Sequence, residues 1–481
     1  MLHGGDGREN FRREKTEMKN FEDIENAYGE SNSEVCGENV GMTYGAGTTA
    51  VSGGNIEIKY PENVKKIIEI YKKYGENAYA VGGCVRDAML GKQPSDWDIT
   101  VSATPQKTIG IFSREGMTTI ETGIKHGTVS VICGGEIFEC TTHRIDGEYK
   151  DSRHPEGVVF TRRLEEDLER RDFTINAIAA HPEGGIFDPF GGEDDMKRGV
   201  IRCVGEPTQR FSEDALRMLR AVRFATVTEF EIEDKTLYAI RELAHLLENI
   251  AYERRTEEFR KILISEHADR GISLLFGTGV MKYLLPDAVL GEVKSGEYCV
   301  QRGTEAGAIG VKRGTEEGIK RDKSSMSAKK GGLGGGITRV RGEFSVRLAC
   351  LMHDTGARDT SCLRLSRRER EDVRALLCPP DFECTEAGAR RLLSMLGGLA
   401  HDACDIYGES ELGVMVDEQA AAGAVVSLKQ LCVSGGDLLE FGVQPSRIGG
   451  ILKRILAEVI EHPEVNVRGE VERKMREWGV L

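Results

Sequence analysis

Asp96 and Asp98 are separated by one residue in the segment SDWDI, Ser95 to Ile99, which opens an apolar run ending at Val101. On a strand, side chains at i and i+2 leave the same face, so both carboxylates can meet one pair of metal ions. Magnesium takes oxygen ligands and keeps water and substrate phosphates in its shell. Two such ions held by carboxylates can activate an attacking hydroxyl and stabilise a leaving pyrophosphate. A third carboxylate is needed, and Glu139 in the segment Ile137 to Thr142 is the candidate. In a small sheet that segment can run beside the aspartate strand and aim Glu139 at the same face. Just upstream lies VGGCVRD, Val81 to Asp87. Gly82 and Gly83 permit close approach of the backbone to a ligand. They also lead into a helix N-terminus, whose free N–H groups favour a triphosphate. Taken singly, a glycine pair marks a turn and two spaced aspartates mark a solvated strand face. The order strand, glycine pair, helix, spaced aspartates is what ties them together.

Further along, Arg170, Arg171 and Asp172 combine two cations with a carboxylate, and Asn176 adds a polar contact. The cations can meet a triphosphate while the carboxylate orients an arginine or a ribose hydroxyl. A salt-bridge network is the alternative in a stretch this charged. Glu213, Asp214 and Arg217 are expected to open a helix with Ser212 as its N-cap. Asp214 and Arg217 are three apart and share a helix face. A fixed carboxylate and guanidinium there can present an acceptor and donors to the edge of a base.

Several elements must position these groups. Pro61 opens a helix with Val64, Ile67, Ile68 and Tyr71 on one stripe. Ala78 to Val81 reads as a strand, Cys84 to Leu90 as a helix closed by Gly91, and Asp98 to Val101 as a strand. Val129 to Ile132 and Ile137 to Thr142 form a hairpin across Gly134-Gly135. From Ser212 to about Ser265 the period is helical, and it is helical again from Phe344 to the end, with a loop at Pro379-Pro380. Ile448 to Val459 is an amphipathic helix. The layout is α+β, with strands early and helices late. Five regions follow: a disordered arm over 1–54, a head over 55–205, a helical neck over 206–290, a Gly-, Lys- and Glu-rich insertion over 291–340, and a helical body and tail over 341–481.

The chain has 481 residues, 39% of them hydrophobic and 30% charged, and carries a net charge of −14. No run approaches the roughly 20 apolar residues of a membrane helix. The start, MLHGGDGREN, lacks a basic-then-apolar signal segment. The 12 cysteines include no CxxC pair, which argues against a zinc ribbon and suits reduced cytoplasmic thiols. The acidic balance argues against a surface coated in basic charge, but not against a groove that focuses positive field.

The ordered motifs carry a resemblance. Gly82-Gly83, Val85-Arg86-Asp87 and Asp96, Asp98 are similar to the first motif of class II tRNA nucleotidyltransferases and bacterial poly(A) polymerases, within the polymerase-β-like superfamily. TGIKHGTVSV, Thr122 to Val131, and FECTTHRIDGEYKDSRHPEGVVF, Phe138 to Phe160, resemble the next strand, the third-carboxylate strand and a polar loop of that family. ERRDFTINAIA, DPFGG, FSEDALRMLRAVRFA and ERRTEEFRKIL follow in the family's order. The strong likeness covers about 56–290, and a weaker one returns at Gly435 to Leu452.

The resemblance implies a nucleotidyltransferase head with a small mixed sheet. It implies CCA addition to the 3′ end of tRNA from CTP and ATP, with Mg2+ held by Asp96, Asp98 and Glu139. Gly82, Gly83, Arg86, Arg170, Arg171, Asp172, Asn176 and Arg220 would serve nucleotide binding, with Asp214 and Arg217 reading the base. The loop from Asp146-Gly147 to Arg153-His154-Pro155 would assist the change from C to A. The tail would grip tRNA by shape and backbone, and no membrane is involved.

The rivals are a poly(A) polymerase, an A-adding relative and a silent RNA-binding paralogue. The first is disfavoured because the region after the first motif lacks the arginine-rich stretch such polymerases carry. His353-Asp354 resembles the central pair of an HD phosphohydrolase and reads as a degenerate, structural remnant. The chain departs from the family pattern at His143, at Val227-Thr228-Glu229, which lacks a glycine, and at Arg255, where an aliphatic residue is expected.

Overall fold

The structure is a computed structural model that describes residues 58–146, 158–290, 336–379 and 381–481. The expected arm over 1–54, the polar loop from Gly147 to Pro155, most of the expected insertion and Pro380 lie outside the described residues.

Pro61 caps helix α1, Glu62–Lys73, which buries Val64, Ile67, Ile68, Ile70 and Tyr71 as its spacing requires. Strand β1, Ala78–Val81, runs into Gly82 and helix α2, Gly83–Met89. Strand β2, Ile99–Val101, is followed by helix α3, Pro105–Arg114, and β3, Thr119–Gly123. Then come β4, Thr128–Cys133, and β5, Glu136–Thr142. The turn between them is Gly134-Gly135, with φ of +60° and +84°, the pair of left-handed residues a two-residue hairpin needs. A hairpin of β6, Arg144–Asp146, and β7, Val158–Phe160, precedes helix α4, Leu164–Glu169. Strands β8, Ala179–His181, and β9, Gly185–Phe187, complete a seven-stranded sheet in the order β3-β4-β5-β2-β1-β8-β9. The sheet is mixed, because β2 and β5 pair in parallel while the other pairs are antiparallel.

Helices α1 and α3 cover one face, where Ile99, Val101, Val131, Phe138 and Cys140 are buried. Helix α5, Gly192–Arg198, and strand β10, Val200–Ile201, lead to the neck. Here the expectation of one helix opening at Glu213 behind a Ser212 cap is corrected. Ser212 and Glu213 end helix α6, Pro207–Glu213, and the Ser212 hydroxyl donates back to the Thr208 carbonyl. Asp214 is extended, with φ −141° and ψ 102°, and its carboxylate accepts from the Leu216 N–H at the start of α7, Leu216–Thr228. A carboxylate two residues before a free N–H closes such a turn locally, so the acid at Asp214 takes the role expected of the serine.

After α7 come strand β11, Glu231–Ile232, which pairs with β10, and helices α8, Asp234–Leu243, α9, Tyr252–Leu263, and α10, Ala268–Gly277. The body holds α11, Phe344–Thr355, α12, Arg367–Leu377, α13, Glu386–Leu396, α14, Ala400–Tyr407, and α15, Ser410–Ala421. The tail holds α16, Gly435–Glu440, α17, Pro445–Glu461, and α18, Arg468–Glu477. Helix α17 buries Ile451, Ile455 and Val459 along one stripe, as its pattern predicts.

The described chain begins again at 336, before the expected end of the insertion at 340. Residues 337–339 form a short 3-10 turn with Ile337 fully buried. Asp269 accepts from the Ile337 N–H and from the Thr338 hydroxyl. One apolar core runs from α1 and the sheet through the neck into α11, α12 and α14, and the tail has a separate core around Leu438, Val459 and Val471.

Candidate active site

The site begins where β1 ends. The Val81 N–H donates to the Asp98 carbonyl at 3.0 Å, so the glycine turn and the aspartate segment are backbone neighbours. Trp97 is buried against Tyr60, which leaves Asp96 and Asp98 on the opposite, solvent-facing side. The i, i+2 geometry is as expected, although regular strand starts one residue later, at Ile99. Because Ile99 registers with Cys140 on β5, Asp98 stands opposite Glu139 on the same face. The surrounding protein pushes the Asp98 carboxyl above its usual range. Asp96 and Glu139 press it the same way, against the pull of Arg171. The donors available are all hard oxygens. Among the described residues no three His, Cys, Asp or Glu side chains close on one point as a ready-made metal cage.

Gly82 has φ +78°, a conformation that disfavours any side chain, and a Cβ there would lie 3.1 Å from Nη1 of Arg171. The turn is therefore roofed by a guanidinium. Asp167 on α4 holds that roof. One oxygen accepts from Arg170 at 2.8 and 3.0 Å, the other from Arg171 at 3.2 Å and from the Thr100 hydroxyl at 3.1 Å. Burial pushes Asp167 up, but Arg171 and Arg170 outweigh it and hold the carboxyl at about 2.

A second network links head to neck. Arg86 donates to Asn176 at 2.7 Å and to Asp87, and Asn176 donates to Asp172 at 3.1 Å. Asp172 is buried and accepts from Arg220 at 2.6 to 2.7 Å. Against the upward push of burial, Arg220 and Asn176 keep its carboxyl at about 2. Of the two partners foreseen for Asp172, it orients the arginine. Arg220 and Arg223 converge on Glu258 of α9, at 3.9 and 2.6 Å, and Arg86, Arg220 and Arg223 all lie over the Phe224 ring at 4.1 to 5.2 Å.

Asp214 and Arg217 are three residues apart but have separate partners. Arg254 of α9 donates to Asp214 at 2.8 Å, and Glu213 accepts from Arg217 at 2.8 Å. Arg217 and Arg210 also donate to the carbonyls of Arg170 and Glu169, at the C-terminal end of α4. Cations at that end satisfy orphan carbonyls and favour the helix dipole. Asp172, Asn176 and Arg217 are buried within these networks, whereas Asp96, Asp98 and Glu139 face solvent. Asp167, Arg254 and Glu258 were missed by sequence reasoning. Asp167 was legible at i, i+3 and i+4 from the arginine pair, whereas Arg254 and Glu258 sit in a long-range motif whose partners only the fold reveals.

The phosphohydrolase-like pair is otherwise engaged. Asp354 accepts two bonds from Arg339 at 2.7 and 2.8 Å, and His353 packs on Tyr407 at 4.5 Å between ring centres. Arg255, expected to be aliphatic, is among the largest fully buried side chains and donates to the Tyr283 carbonyl at 2.7 Å.

Residues 78–202 match the family model described as the poly A polymerase head domain, and 229–289 match the one described as a probable RNA and SrmB-binding site of polymerase A. The chain is 49% identical over 218 residues to the CCA-adding enzyme of Geobacillus stearothermophilus, covering 45% of this chain and 53% of that one. It is 47% identical over 218 residues to the CCA-adding enzyme of Anoxybacillus flavithermus, covering 45% and 54%. The match therefore spans about half the length of these curated relatives. The fold is similar to that of the Bacillus stearothermophilus CCA-adding enzyme in complex with CTP, with a TM-score of 0.65 and 29% identity over 88% of this chain and all of that one. It is also similar in fold to the Thermotoga maritima CCA-adding enzyme complexed with tRNA, with a TM-score of 0.59 and 20% identity, covering 88% and 97%. Among the described residues no helix is long and apolar enough to cross a membrane.

Proposed function

We propose, from the premise that the chain belongs to the tRNA nucleotidyltransferase and poly(A) polymerase family, that it adds CCA to the 3′ end of tRNA in the cytoplasm, using CTP and ATP without a nucleic-acid template. The observation that carries this reading is the placement of Asp98 opposite Glu139 on one sheet face, with Asp96 beside them and Arg171 over the Gly82 turn. Asp96, Asp98 and Glu139 suit a divalent cation, with Mg2+ the fit for an oxygen-only donor set. Asp96 and Glu139 press negative charge on Asp98, a charge that a cation held by the three would relieve. When bound, the metal supplies charge neutralisation at the reacting phosphate.

The chain's own residues divide the remaining work. Arg171, steadied by Asp167, lies where the triphosphate would cross the Gly82-Gly83 turn. The 3′-hydroxyl of the RNA bonds to the α-phosphorus, the bond to the β-phosphate oxygen breaks, pyrophosphate leaves, and the hydroxyl proton passes to solvent. Asp214 and Arg217 supply an acceptor and donors to the base edge. Arg254 and Glu213 hold them so that little reorientation is needed at each addition. Arg86, Asn176, Asp172 and Arg220 keep the head and neck in register rather than standing open to the nucleotide.

The test is to sequence the product made from tRNA truncated before CCA, with CTP and ATP supplied singly and together. Three added nucleotides in the order C, C, A are expected. A long A tail would make the chain a poly(A) polymerase, and A alone an A-adding relative. Asp98→Ala should lower incorporation at least about a thousandfold. Near-normal rates in that variant would remove the assignment of the acids.

A further inference from the structure

Asp214 and Arg217 are held from different sides of the molecule. Arg217 is fixed by Glu213 at 2.8 Å and by the carbonyls of Arg210 and Arg170 at 3.2 and 3.0 Å. Asp214 is fixed from α9. Its Oδ1 accepts from the Leu216 N–H at 3.0 Å and from Arg254 at 3.4 Å, and its Oδ2 accepts from Arg254 at 2.8 Å. An ionised carboxylate has about four acceptor positions, so about one is left for a ligand. A guanidinium that engages both oxygens sets the plane of the carboxylate as well as its place. Among the described residues Arg254 closes hydrogen bonds and ion pairs with Asp214 alone, so its side chain serves this one acid.

Helix α9 is itself tied to α7. Four residues beyond Arg254 and on the same helix face, Glu258 is buried, accepts from Arg223 at 2.6 Å and lies 3.9 Å from Arg220. Phe259 and Ile262 of α9 are fully buried. The backbone that carries Arg254 is thus fixed relative to the stretch that carries Asp214, and the guanidinium spans a set gap.

The chemistry of the bases makes that hold selective. Cytosine and adenine carry an exocyclic amine, a donor, where uracil and guanine carry a carbonyl, an acceptor. A carboxylate oxygen held in place accepts from the amine and repels the carbonyl. A carboxylate free to turn away leaves the carbonyl unopposed.

We propose that Arg254 is a positioning residue that sets the choice of nucleotide, by holding the Asp214 carboxylate where an incoming base must offer an amine. Arg217 keeps its own partners without it, and the three acids beside the Gly82 turn are not in contact with it. The inference rests on the nucleotidyl-transfer reading.

The test measures kcat/KM for CTP and for UTP in the first addition, on the full chain with tRNA lacking CCA. In Arg254→Met the ratio of CTP to UTP should fall on the order of tenfold or more from that of the wild type. Asp214→Asn should lower the ratio too, and adding Arg254→Met to it should take away little more, because both act at one contact. An unchanged ratio in Arg254→Met, or full additivity in the double variant, would overturn the proposal. If Arg254→Met does not fold, Arg254→Lys keeps the charge but cannot pair with both oxygens at once. Its ratio should fall at least about threefold, and a wild-type ratio there would equally overturn the proposal. Incorporation of CTP by the wild type tests the nucleotidyl-transfer reading on its own, so the two failures are distinguishable.

Discussion

Asp167 and Asp172 are buried carboxylates kept ionised by guanidinium groups, each at about 2. Their folded values lie below the unfolded value of about 4, so their contribution is fully present above about pH 4 and is lost as pH falls towards 2. By linkage each is worth roughly 2 kcal/mol at neutral pH. Asp402 on α14 has the opposite sign. Burial raises its carboxyl to about 6, against Arg341 at 2.8 Å. It costs stability above about pH 6 and regains it as the group protonates. Urea midpoints should therefore hold or rise from pH 7 to 5 and then collapse below about pH 4. A midpoint still rising at pH 3 would contradict the two buried aspartates. Asp172→Ala strands Arg220 beside Glu258 and should lower stability by about 3 kcal/mol, measured by the same titration. Arg217→Ala should relax the choice of CTP and ATP over UTP and GTP, read from competition assays.

At the scale of elements, what the sequence made legible and what it hid have physical causes. The hairpin at Gly134-Gly135 and the stripe of α1 depend on local patterns, and both formed as read. The break between α6 and α7 was hidden, because FSEDALRMLR has unbroken helical composition and the interruption comes from one carboxylate capping Leu216. The parallel pairing of β2 with β5 was foreseen only as adjacency, since register across a sheet is a long-range property. Missing glycine in Val227-Thr228-Glu229 has a structural consequence: Glu229 adopts φ +60°, the left-handed region, at the end of α7. Glu229→Gly should raise stability by roughly 1 kcal/mol, set against loss of the exposed contact with His267 at 3.3 Å. A lowered melting temperature would show that this contact outweighs the strain. The turn at 337–339 pins the start of the body through Arg339 and Asp354. Arg339→Met leaves the buried Asp354 carboxylate to its contact with His353 at 3.0 Å and should cost about 2 kcal/mol, seen as a lowered unfolding midpoint.

Among the described residues, apolar packing runs from the sheet into α11, α12 and α14, while α13 with α15, and the tail, hold clusters of their own. Removing 425–481 should leave nucleotide affinity unchanged while raising KM for tRNA on the order of tenfold or more. An unchanged KM for tRNA in the truncated chain would take the tail out of RNA binding. Body and tail meet where α13 packs on α17. Arg390 of α13 is buried, donates to the Ile460 carbonyl at 2.7 Å where α17 ends, and braces itself on Gln419 at 2.9 Å.

That clasp makes α17 a lever. Its 17 residues extend about 25 Å from the fulcrum, so a rotation of about 5° at Arg390 moves the Pro445 end by about 2 Å. A substrate braced against the far end would feel a small angular error at one guanidinium as an error in length.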